Sequence, residues 1–150
     1  MRMFRQYRFG FDIWGLVVFL AVMAPNFIWY AVPAPADVLR AESGTPVVDA
    51  IGSVLQVLFI ACLCCLIRKD REKLHFSVPV IMMVTCILLY YLGWILYYRG
   101  MTSPLVILLL TVPPCAAFIL FAIDRKNLPA AVLASSFAIC HLIFAIVNFI

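Results

Sequence analysis

The sequence predicts an all-α fold: a polytopic membrane helix bundle with five transmembrane helices. Three observations predict it. Hydrophobic residues make up 67% of the 150 and charged residues only 12%, whereas a soluble domain is about half apolar and about a quarter charged. The apolar residues come in long runs, and in a bilayer only helices and closed barrels satisfy their own backbone. The period-two alternation of a barrel strand is absent, which leaves helices.

The spans run over about Ile13–Tyr30, Val48–Ile67, Phe76–Tyr98, Pro104–Ile123 and Leu128–Phe149. At roughly 20 residues each, they cover ~30 Å of hydrocarbon. The connectors are short and polar, so residues 1–150 form a single transmembrane domain without internal repeat. The start of the chain has the basic head, apolar run and Ala34-Pro35-Ala36 of a cleaved signal peptide. Yet its apolar stretch continues through Phe27-Ile28-Trp29-Tyr30, the aromatic belt of a span, and it is read as a helix.

Orientation follows from lysine and arginine. Arg2, Arg5 and Arg8 precede the first span. Arg68, Lys69, Arg71 and Lys73 follow the second, and Arg125 and Lys126 follow the fourth. These alternate segments share one side, while the other has only Arg40 and Arg99. The positive-inside rule therefore places the N-terminus in the cytoplasm and the C-terminus outside, as a multi-pass protein of the cell membrane. The net charge of +4 expresses this bias. It is not a nucleic-acid footprint, because no basic surface with interleaved stacking residues accompanies it.

Polar residues are costly in hydrocarbon and usually face the bundle interior. At helical spacing they form stripes: Asp12, Gly15, Val22, Asn26 and Trp29 in the first span; Asp49, Gly52, Ser53 and Gln56 in the second. The third offers Cys86, Tyr90, Gly93 and Tyr97, the fourth Thr111, Cys115 and Phe118, and the fifth Ala134, Ala138, His141, Ala145 and Asn148. Small residues at such spacing are packing seams. In depth, however, Asn26, Gln56, Tyr90, Thr111 and His141 all fall between the midplane and the outer interface. They predict a polar pocket in the outer leaflet, with Asp49 as its acid.

His141 lies in an apolar run without a charged partner. Pro113 and Pro114 deprive the carbonyls of Leu109 and Leu110 of helical donors, and His141, Thr111 and Tyr90 are candidates to supply them. A neutral imidazole, with one donor and one acceptor, needs no charge for this. The alternatives are a histidine that handles a ligand or proton, or a metal ligand with Cys115 and Cys140, for which no ligand spacing exists. Pro25 frees the carbonyl of Ala21 in the same way.

All six cysteines fall within spans. Cys62 and Cys65 have the spacing of membrane thiol oxidoreductases, but the second span runs inward and puts them away from the oxidising face. They are read as packing residues. The long outer connector, AVPAPADVLRAESGTPVVDA, predicts a short helix from Pro35 that Gly44 stops, with Val38 and Leu39 toward the membrane and Arg40 and Glu42 toward water.

The stretches FDIWGLVVFLAVMAPNFIWYAVPAP and TVPPCAAFILFAIDRKN resemble a group of small bacterial membrane proteins of about this length and span count. That resemblance implies no activity. The five-helix tryptophan-rich sensory proteins (translocator family) have a similar size, but only Trp14, Trp29 and Trp94 are present here.

These features lead to a non-enzymatic membrane protein that binds or helps to move a small amphipathic or apolar molecule at the outer-leaflet pocket. The alternatives are a transporter or channel protomer acting as a homo-oligomer or with a partner membrane protein, and an enzyme embedded in the bilayer that acts on lipid or quinone. The enzyme lacks a convergent acid/base or metal set, and no cofactor is indicated.

Overall fold

The computed structural model describes residues 6–70 and 75–150, so Arg2, Arg5, Arg71 and Lys73 of the orientation argument lie outside the described residues. Five helices dominate: α1 (Ile13–Ala31), α2 (Pro46–Cys65), α3 (Val78–Tyr98), α4 (Pro104–Asp124) and α5 (Leu128–Phe149). All five are long and apolar enough to span a membrane. Proline opens four of them, at Pro46, Pro79, Pro104 and Pro129, where its missing N–H costs nothing. Asp12, Ser77 and Asn127 cap α1, α3 and α5 by accepting from the N–H groups of Trp14, Val80 and Ala130. Gly100 ends α3 at φ 83°, the left-handed turn that glycine adopts without steric cost.

Five boundaries depart from the sequence reading. α1 ends at Ala31 rather than Tyr30, α2 begins at Pro46 rather than Val48, and α4 ends at Asp124 rather than Ile123. The third helix starts at Val78 rather than Phe76, at the Ser77 cap. The second stops at Cys65, because Leu66–Arg68 is a strand, β2, paired antiparallel with β1 (Tyr7–Phe9) in the register Tyr7↔Arg68, Arg8↔Ile67, Phe9↔Leu66. Backbone bonds from Gly10 N to Cys65 O and from Asp12 N to Cys64 O carry the pairing into both helices.

α4 is the central helix. Of its apolar window 61% is buried, against 28% or less in each of the others. α3 packs along one side of it and α5 along another, and α2 packs mainly on α5. Phe59 of α2 stands at the centre, with ring centroids 5.0 Å from Phe118 and 5.3 Å from Phe137. α1 touches its neighbours far less.

Small residues set two of the close approaches. A Cβ on Gly15 would lie 2.8 Å from the backbone oxygen of Leu63, whereas one on Gly52 would meet only Cys140 Cβ at 3.5 Å. Gly15→Ala is therefore expected to destabilise by about 1–3 kcal/mol, the usual cost of overpacking, and Gly52→Ala to be nearly neutral. Thermal unfolding in detergent reads both, and equal losses would contradict the geometry.

The two ends of the bundle are held differently. At the ribbon end Asp12 and Arg125 form a buried ion pair, Nε to Oδ2 3.1 Å. Asn127 donates to the carbonyls of Cys62 and Leu66, and Ser77 bonds Asp124. At the other end lies the connector between α1 and α2. Its expected helix is one 3-10 turn, Val38–Arg40, and does not reach Gly44. Leu39 is tucked against the core, while Val38 and Arg40 are exposed.

Candidate functional site

The six residues predicted to form the pocket, Asn26, Asp49, Gln56, Tyr90, Thr111 and His141, all line one cavity of about 810 Å³. It occupies the half of the bundle next to the connector, and every helix contributes to it. Proximity has a simple origin: the sequence repeats each polar position near the same depth on the inward face of its helix.

The polar groups are not equally engaged. Asn26 Nδ2 donates to Tyr90 Oη at 2.6 Å and to the Val22 carbonyl at 3.3 Å. Thr111 donates its hydroxyl to Ile107 O, 2.8 Å away and one turn back on its own helix. Asp49 accepts from Thr45 Oγ1 at 3.1 Å, and its carbonyl accepts from the Ser53 hydroxyl. Trp94 contributes a buried indole N–H that meets no acceptor among the described residues. Sequence reasoning overlooked Trp94 as a site residue, although its place one turn after Tyr90 on α3 was a usable signal.

His141 corrects one expectation. Its imidazole stacks between Phe137 and Phe144, with centroids 5.2 and 6.2 Å away and rings within 16° and 10° of parallel. It does not donate to Leu109 or Leu110, and Tyr90 and Thr111 have other partners. The reasoning about freed carbonyls holds instead at Pro25, where Tyr91 donates its phenol to the Ala21 carbonyl at 2.6 Å. The donor comes from α3, which runs close to α1 at that level.

The mouth of the cavity follows from exposure. Its lining residues from α3 and α4 are all buried, whereas Phe27 and Tyr30 on α1 and Ser53 on α2 are exposed. The cavity opens sideways between α1 and α2. Those helices meet at Gly15–Leu63 near the ribbon, and in the other half the connector bridges the gap between them.

The connector is fixed at both of its own ends. Asp37 accepts from Trp29 Nε1 at 2.9 and 3.0 Å, from Tyr97 Oη at 2.9 Å, from Arg40 Nε at 2.8 Å and from the Ala34 N–H at 3.3 Å. Burial pushes the Asp37 carboxyl up, but the bonds from Trp29, Tyr97, Arg40 and Ala34 together hold it below the usual carboxylate range. Arg40 also lies over the Trp29 ring, 4.8 Å from its centroid, and donates to the Trp29 carbonyl at 2.6 Å. Farther along, Asn148 accepts from Gly44 N at 2.6 Å and donates to Thr45 Oγ1 at 3.0 Å. Asp37 was missed in the sequence because an acid in a polar connector reads as solvated.

No group of three or more His, Cys, Asp or Glu able to hold a metal ion occurs among the described residues. Cys64 and Cys115 are buried and Cys65 is exposed, all as free thiols. Comparison of the chain with protein-family models, with curated proteins and with solved structures finds no match.

Proposed function

We propose that this is a multi-pass protein of the cell membrane, and that its lateral cavity binds, or helps to move, a small amphipathic molecule entering from the lipid. The observation that carries the reading is the cavity itself: about 810 Å³, within the range of small-molecule sites, with mostly apolar walls and a few converging polar groups. Gln56 and His141 spend no hydrogen bond on the described protein, so both are available to a guest. The polar residues close around a space inside one protomer. A pore built by oligomers would instead present them on an outer face, so binding within the protomer is favoured over the channel reading.

In this proposal the N-terminus is cytoplasmic, the C-terminus is outside, and the cavity lies in the outer leaflet. The asymmetry of lysine and arginine supports that orientation.

The test uses prodan, a neutral amphipathic fluorophore, with purified protein in detergent. Trp29 and Trp94 both line the cavity and would transfer energy to a bound probe. Saturable transfer is expected, and Ser53→Phe, which fills the mouth from an exposed position, should weaken it at least tenfold. Transfer that never saturates, or that Ser53→Phe leaves unchanged, refutes the site. In a cysteine-free background, Thr45→Cys should react with an impermeant thiol reagent on intact cells; labelling only after lysis would reverse the orientation.

A further inference from the structure

The charge of the guest is written in the cavity wall. Among the described lining residues Asp49 is the one carboxylate, and no lysine or arginine joins it. Arg40, the nearest cation in the connector, is committed to Asp37 at 2.8 Å and to the outer carbonyls of α1. Asp49 uses one carboxylate oxygen for Thr45, and a carboxylate offers about four acceptor sites. Aromatic residues line the same cavity, including Trp29, Tyr90, Trp94, Phe144 and Phe149. Ring faces attract cations and have no comparable attraction for anions. A negative guest would meet Asp49 in a low-dielectric space with no compensating positive residue.

We propose that the cavity selects amphipathic organic cations, with an amine or quaternary ammonium head near Asp49 and the aromatic walls, and an apolar body that enters between α1 and α2. Neutral hydrogen-bonding guests would gain from Gln56, His141 and Trp94, but those groups give no preference for positive charge. Asp49 supplies that preference. Its position in the first turn of α2 is where the helix dipole favours a negative side chain.

This inference rests on the cavity being a binding site, and the experiment separates the two. Prodan bound to the purified protein is displaced by 4-phenylbutyl-trimethylammonium or by its neutral tert-butyl carbon isostere, with free concentrations fixed by equilibrium dialysis. The cation is expected to compete at least tenfold better than the isostere. Asp49→Asn should bring the two competitors within about twofold, and Asp49→Glu should restore the gap, with thermal melting confirming that both variants fold. Absence of saturable prodan binding would refute the binding site itself. Equal competition by the two isosteres in the wild type would leave the binding site standing and overturn the cation preference. A preference undiminished in Asp49→Asn would overturn the assignment to Asp49.

Discussion

Replacing Asp12 with alanine is expected to lower the unfolding free energy by about 3–5 kcal/mol, the cost of removing one partner from a buried ion pair. Asp12 and Arg125 are 4% and 6% exposed, so solvent screening does little to dilute their attraction. A surface pair of the same length would contribute about 0–1 kcal/mol. Asp12 also caps α1 through Trp14 N, and loss of a cap alone costs about 1 kcal/mol. Asp12→Asn keeps a capping oxygen and removes the charge, so it should fall between wild type and Asp12→Ala. The double change Asp12→Leu with Arg125→Met should be less damaging than either Asp12 single variant, because it removes both charges together. Unfolding titrations in mixed micelles measure all four proteins. A loss below about 1 kcal/mol for Asp12→Ala would mean that the pair does not hold the ribbon end.

The second large effect belongs to Asp37. Its removal withdraws the shared acceptor of Trp29, Tyr97 and Arg40. Tyr97 is completely buried, and hydrogen bonds to a charged group contribute about 1.5–3 kcal/mol each. Asp37→Ala should therefore cost about 3 kcal/mol, concentrated in the connector. The pH dependence has a definite sign. Because the folded-state pKa of Asp37 is lowered, its stabilisation is present in full above the unfolded value of about 3.9. It is lost as pH falls through the lower, folded-state value. Hydrogen exchange of residues 32–45, corrected for intrinsic rates, should accelerate on acidification below about pH 4 in the wild type. In Asp37→Ala it should already be fast at pH 6 and gain nothing further from acid. A wild-type connector whose corrected exchange is the same at pH 6 and pH 3 would contradict this.

The helices were legible in the sequence because a bilayer demands about twenty apolar residues per crossing, a signal far above local noise. The six pocket residues were legible because helical periodicity fixes a face and known span ends fix a depth. What stayed hidden depends on pairing between distant segments. Three-residue strands such as Leu66–Arg68 have no periodicity to detect, and their identity comes from Tyr7–Phe9. Nothing in the local sequence tells Asp12 that its partner is Arg125. The expectation for His141 failed because helical spacing gives the face of a residue but not its rotamer. Stacking on Phe137 and Phe144, its own neighbours at i−4 and i+3, turned the ring along the helix rather than toward Leu109.

The seam between α2 and α5 has a consequence for biogenesis. A ribosome delivers α2 to the membrane long before α5, yet α2 packs chiefly on α5. The Cys62 and Leu66 carbonyls likewise wait for Asn127. Until the last helix inserts, the face of α2 that packs on α5 is uncovered, and until the end of α4 is made Asp12 lacks its Arg125 counter-ion. Closure is thus a late, long-range event, the class of contact that slows folding. A nascent chain arrested before residue 125 would lack both the Arg125 contact of Asp12 and the α5 cover of the seam, which the later segments supply in turn.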